Sequence, residues 1–203
     1  MRLAPLERAL VNNPVRRWLL RGTVEWLWRA AAVPELPRVL EVGCGQGDGV
    51  REIVRLFRPQ ALDALDVDAA QLARARQRLG SQPGTVVRLL AADVERIPAP
   101  DGHYDGVFAL ATLHHVPGWR TALREIRRVL RPGGLFLFEE LSRELFFTTP
   151  VLGPLLRWLT VHPWEQMFSL AEWRQALEEA GLSVQVWRVR RVPGWVHGVA
   201  RAC

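Results

Sequence analysis

Residues 39–49 read Val39-Leu40-Glu41-Val42-Gly43-Cys44-Gly45-Gln46-Gly47-Asp48-Gly49. A short apolar run enters a glycine-rich turn, and Val50, Ile53, Val54 and Phe57 then fall at helical spacing. A strand that passes through glycines into a helix lets its backbone come close to a nucleotide-type ligand. Two cofactor classes use such a turn. A dinucleotide fingerprint spaces its glycines as G-x-G-x-x-G. Counted from Gly43, its third glycine falls on Asp48. The turn instead carries Gly43, Gly45 and Gly47, with Glu41 two residues before the first. A carboxylate there is of little use beside an anionic pyrophosphate. It is useful beside a cationic ligand.

Outward from this turn, strand-like and helix-like segments alternate. Ala61 to Val67 reads as a second strand, and Leu72, Ala75 and Leu79 mark a helix. Val86 to Ala91 and Tyr104 to Leu110 are further strands. Ala122, Leu123, Ile126, Val129 and Leu130 form one helical face, stopped by Arg131-Pro132-Gly133-Gly134, and Leu135 to Phe138 is a fifth strand. Helices between short buried strands imply right-handed crossovers and a parallel sheet. Ser169 and Glu172 make a capping box for a late helix that Gly181 ends. The runs Leu182 to Val189 and Trp195 to Ala200 are joined too closely for a crossover, so they pair antiparallel. Upstream, residues 5–31 read as two short helices, with Pro14 placed to start the second. Residues 141–168 break the rhythm at the carboxyl edge of the sheet, where ligands bind in such folds. They read as a cap rich in Leu, Phe and Trp, which favours an apolar or aromatic small molecule.

Composition narrows the classes. The chain has 203 residues, 49% of them hydrophobic, which suits one globular domain with a sizeable core. Cys44 and Cys203 are the only cysteines, too few for a disulfide scaffold or a Cys-rich metal site, and a reducing cytoplasm follows as the expected compartment. No run reaches the length of a membrane span, and Met1 to Arg8 lacks the apolar core of a signal peptide. The net charge of +6 rests entirely on arginine, since the chain has no lysine. The arginines are scattered without the interleaved aromatics of a single-strand binder, so no specific nucleic acid is expected. The Arg- and Trp-rich N-terminal helix leaves a peripheral membrane contact open, beside a plain packing role.

Five landmarks in order give the chain a resemblance to the class I S-adenosylmethionine-dependent methyltransferases, in the branch of the ubiquinone/menaquinone-biosynthesis C-methyltransferases. They are the Glu41 to Gly47 turn, the strand ending at Asp66, Ala92-Asp93-Val94, Tyr104-Asp105 leading to Leu113-His114-His115-Val116, and Leu130-Arg131-Pro132-Gly133-Gly134. The resemblance implies a Rossmann-like α/β fold. Together with the seven runs, it implies a seven-stranded, mostly parallel sheet with helices on both faces and one antiparallel edge strand. The whole chain, 1–203, is then a single domain with an N-terminal helical segment (1–35) and the cap (141–168). The implied cofactor is S-adenosylmethionine. Gly43, Gly45 and Gly47 would let the backbone approach its methionyl part, with Glu41 in an electrostatic or water-bridged role. Asp66 would accept from the ribose hydroxyls and Val67 would pack on the adenine. Asp93 and the Val94 N–H would take the adenine edge, and Ala109 and Leu110 would border the methionyl group. Asp68 reads as a helix cap and Asp105 as a sheet-holding residue.

Methyl transfer needs alignment and exclusion of water, and a base only where the nucleophile must lose a proton. Candidate bases are His114 and His115 after the fourth strand and the Glu139-Glu140 pair ending the fifth, of which Glu140 is favoured; His162 in the cap is a further candidate. No metal-ligand spacing is present. The expected activity is methyl transfer to a small apolar or aromatic acceptor. Methylation of a protein or RNA, and a non-catalytic cofactor-binding subunit, stay open as alternatives.

Overall fold

The computed structural model describes residues 14–33, 35–144, 167–190 and 195–203. Helix α1 (Pro14–Ala31) leads into β1 (Arg38–Val42), α2 (Asp48–Phe57), β2 (Ala61–Asp66), α3 (Ala69–Leu79) and β3 (Val86–Ala91). Strand β4 (Tyr104–Leu110), α4 (Trp119–Val129), β5 (Leu130–Leu141), α5 (Leu170–Glu179), β6 (Leu182–Arg190) and β7 (Trp195–Ala202) follow. Short 3-10 turns occupy Val94–Arg96 and Leu113–His115. The expected first helix before Pro14 and the body of the cap, 145–166, lie outside the described residues.

The seven strands form one sheet in the order β3-β2-β1-β4-β5-β7-β6. Strands β1 to β5 pair in parallel, and β7 runs antiparallel to both β5 and β6. The reversed strand expected at the edge is thus β7, and it sits one place in. The short β6–β7 connection lets β7 fold back between β5 and β6, which leaves β6 outermost. Two apolar layers cover the sheet, as near-continuous buried strands require. One joins Leu20, Val24 and Leu27 of α1 to α2 and α3. The other joins Leu123 and Ile126 of α4 to Trp173 of α5.

Several local expectations are met. The Asp68 side chain accepts from Ala70 N–H and caps α3. Ser169 and Glu172 form the full capping box of α5. Asp105 accepts from the Arg38 backbone N–H and from Arg131, tying β1 to the start of β5. The ends of the cap segment also meet, since Arg143 N–H donates to the Phe168 carbonyl, while Phe168 stacks on Trp173 at 4.3 Å between ring centroids.

Candidate active site

A cavity of about 190 Å³ opens where β1, β2, β3 and β4 end. The chain order reverses between β1 and β4, and a crevice at such a switch point is where ligands bind in open α/β sheets. The glycine turn forms one wall. Gly43, Gly45 and Gly47 all hold positive φ, so the turn is strained for other residues. Gly43 N–H and Cys44 N–H both donate to the Leu65 carbonyl, which pins the turn against β2. A Cβ on Gly43 would collide with the Thr112 side chain, and a Cβ on Gly49 with the Glu41 carboxylate. The glycines are therefore a consequence of close packing as well as of backbone angle.

Glu41 is the unusual group. Its side chain is buried, and Oε2 has no hydrogen-bond partner. Burial pushes its carboxyl well above the usual range, and the charges of Asp48 and Asp66 push it further. Buried carboxyls are normally paired, so this oxygen is the place in the cavity best suited to a positive charge. Asp66 is raised too, first by burial, while the N–H groups of Asp68 and Gly45 pull against the rise; they lie 2.8 and 2.9 Å from its two oxygens. Burial likewise raises the Cys44 thiol, with Glu41 and Asp66 adding to it, which fits a packing role and not a nucleophile.

The cavity brings together Glu41, Gly43, Gly45, Asp66, Val67, Asp93, Val94, Leu110 and His115 of the expected set. Gly47 stands behind the turn, with Leu79 packed against it. Ala109 is fully buried inside β4 and leaves the bordering position to Leu110. Asp93 also caps the 3-10 turn by accepting from Glu95 N–H.

The base candidates separate. His115 lines the cavity, but His114 and Glu140 do not. Glu140 is fully buried and accepts from the N–H groups of Thr112, Leu113 and His114, and its Oε2 lies 2.7 Å from His114 Nδ1. It works as a clasp on the loop after β4. The His114 ring in turn lies 4.2 Å from that of His115, between centroids. Glu139 points to the opposite face of β5. There it is held by Arg16 at 2.5 Å, by Thr23, and by His197 at 3.0 Å. Burial alone would raise Glu139, but the Arg16 charge with the His197 and Thr23 hydrogen bonds overturns this and holds it at about 2. His162 lies outside the described residues.

Sequence reasoning missed the contribution of α1, whose Arg16, Arg17 and Leu20 line the cavity. It also missed Ala111, which turns the chain out of β4 at φ 63, and Thr112, whose hydroxyl donates to the Val42 carbonyl. No periodicity marks either residue. The positive φ at Ala111 is set by its surroundings, since its N–H is drawn to the Glu139 carbonyl at 2.6 Å.

A family model for a methyltransferase domain matches residues 40–138. The chain is 36% identical over 113 residues to the fatty-acid O-methyltransferase of Mycolicibacterium smegmatis, covering 55% of this chain and 39% of that enzyme. It is 28% identical over 201 residues to the ubiquinone/menaquinone biosynthesis C-methyltransferase of Caulobacter vibrioides, covering 92% of this chain and 76% of that one. A SAM-dependent methyltransferase from Aquifex aeolicus has the same fold, with a TM-score of 0.78 at 22% identity and full coverage of both chains. Residues 40–138 are a methyltransferase domain. Over its whole length the chain is similar to S-adenosylmethionine-dependent methyltransferases, and the matched domain implies S-adenosylmethionine as the cofactor. The residues present fit that cofactor: a glycine turn, open at Gly45, lines the cavity beside a buried carboxylate oxygen without a partner.

Proposed function

We infer that the chain methylates a small, largely apolar or aromatic acceptor. The observation that carries the reading is the orphaned Glu41 oxygen at the head of the glycine turn, which wants a cationic cofactor. The choice of acceptor draws support from the apolar part of the cavity wall, Leu20, Leu110, Val116 and Pro117. It also draws on the relatives, which are named for fatty-acid, quinone-pathway and sterol methylation.

When bound, S-adenosylmethionine supplies an activated methyl group on a sulfonium whose leaving group is a neutral thioether. The chain's own residues hold, orient and shield. Glu41 supplies the counter-charge, the Gly43–Gly45 backbone allows close approach, and Asp66 holds hydroxyls through its remaining lone pairs. Val67 covers a flat face, and Asp93 with Val94 N–H holds the rim. His115 is the titratable side chain placed to take a proton from an acceptor hydroxyl where there is one. Glu140 and His114 are positioning residues that fix the loop carrying it.

Calorimetric titration with S-adenosylmethionine and its demethylated product tests the cofactor half. Micromolar binding of both is expected, weakened tenfold or more in Asp66→Ala, because a lost charge-assisted hydrogen bond costs about 1.5–3 kcal/mol. Turnover on a panel of fatty acids, phenols and quinols tests the acceptor half. Methylation of polar amines or of RNA in preference to all of these would overturn it.

A further inference from the structure

Among the described residues, the two most exposed large apolar side chains are Trp18 at 73% and Val15 at 66%, and both lie on α1. They are three residues apart, so they share one strip of the helix. Trp28 is also exposed and lies ten residues further, about 15 Å along the axis. The opposite face is fully committed, with Leu20, Thr23, Val24 and Leu27 buried against the sheet. Around the exposed strip stand Arg17, Arg21 and Arg29, all exposed. The single carboxylate of the helix, Glu25, is taken by ion pairs with Arg21 and Arg55. No helix among the described residues is long and apolar enough to cross a membrane.

We propose that α1 is a membrane-docking surface, which lays Val15 and Trp18, with Trp28 on the flank of the same exposed side, into the headgroup region of an anionic bilayer, with the cavity opening beside it. The charge complementarity is direct: a chain of net charge +6 presents an arginine-bordered tryptophan face. An indole suits the membrane–water boundary, with an apolar ring and a polar N–H. Long arginine stems lie along the lipid and keep their charge at the headgroups. Adjacency gives the docking its purpose. Arg17, exposed and next to Trp18 in the chain, lines the cavity, and Leu20 lines it from the buried face of the same turn. An apolar acceptor dissolved in the bilayer therefore enters beside the residues that rest on it. That purpose rests on the proposed acceptor class, while the docking itself is measured without any acceptor.

The test is co-sedimentation of the full chain with phosphatidylcholine vesicles and with vesicles holding a quarter phosphatidylglycerol. Partition onto the anionic vesicles is expected to be at least about tenfold the stronger, and to fall in 0.5 M salt. Trp18→Ser is expected to lose about tenfold. Arg21→Glu, a change of two charges, is expected to lose roughly 25-fold, at about fivefold per charge near such a surface. Neither residue lines the cavity, so binding of the demethylated cofactor product must stay at the parent value in both variants. That titration separates a failed docking surface from a failed methyltransferase reading. Equal binding to both vesicle types, no binding to either, or a Trp18→Ser variant that binds like the parent overturns the proposal.

Discussion

Glu41→Gln weakens S-adenosylmethionine roughly 30-fold or more while leaving its demethylated product within about threefold, because only the former carries a charge at sulfur. The argument is one of matching deficits. The protein buries a carboxylate oxygen with no partner, and the cofactor brings a cation that must leave water. Each group offsets the cost of burying the other. The product is neutral at sulfur and gains nothing from the carboxylate, so glutamine serves it nearly as well. A proton balance follows from the same site. Burial and the neighbouring acids hold the Glu41 carboxyl well above its ordinary value of 4.5. Above 4.5 the folded, ligand-free chain therefore keeps a proton that the unfolded chain has lost. A cation beside the carboxyl favours its ionised form, so S-adenosylmethionine drives the proton out as it binds and the product does not. Calorimetry in two buffers of different ionisation enthalpy reads this release directly. The stability of the ligand-free chain carries the converse sign: this group makes it fall as the pH rises from 4.5 toward the raised value, and Glu41→Gln removes that fall. Equal weakening of both ligands with no proton release would show that Glu41 merely packs the turn.

What the sequence made legible follows from which forces are local. The central parallel strands announce themselves because they are buried on both faces and read as unbroken apolar runs, as in Val107, Phe108, Ala109 and Leu110. The glycine turn is legible because only glycine fits where Thr112 and Glu41 press against its backbone. The capping residues Asp68 and Ser169 are legible because their partners lie two or three positions away. The Glu139-Glu140 pair marks the limit. Alternation along a strand sends neighbours to opposite faces, but it does not say what waits on each. One face held a loop with three backbone N–H groups to satisfy, and the other a helix more than a hundred residues upstream carrying Arg16. Both carboxylates were spent on long-range partners, and no local pattern encodes that. The contribution of α1 to the cavity was hidden for the same reason. Its amphipathic pattern shows that one face is buried, not which edge reaches the active-site mouth.

The Glu139 cluster is where this long-range order is expected to matter most for stability. Glu139→Ala leaves Arg16, Thr23 and His197 facing an empty place, with the Arg16 charge mostly out of water. Breaking one side of such a buried pair costs about 3–5 kcal/mol, which chemical denaturation at neutral pH will read. The acid limb gives an independent sign. Glu139 is held at about 2 in the folded chain against 4.5 ordinarily. Its stabilisation is thus complete above 4.5 and disappears as the pH falls through that interval toward 2, amounting to about 3 kcal/mol. In Glu139→Ala this part of the acid unfolding curve flattens. Removing both charges together, as Arg16→Met with Glu139→Leu, is expected to recover most of the lost stability, since no uncompensated charge then remains. The pair also decides whether α1 is only a support. Arg17, Leu20 and Trp18 stand on the same helix turns as Arg16, so a charge-free but stable variant keeps the helix while loosening its tie to β5. If α1 must stay fixed for the acceptor to enter, that variant transfers methyl groups more slowly even at saturating cofactor. A loss below 1 kcal/mol in Glu139→Ala, with an unaltered acid limb, would mean that α1 is held by its apolar face alone.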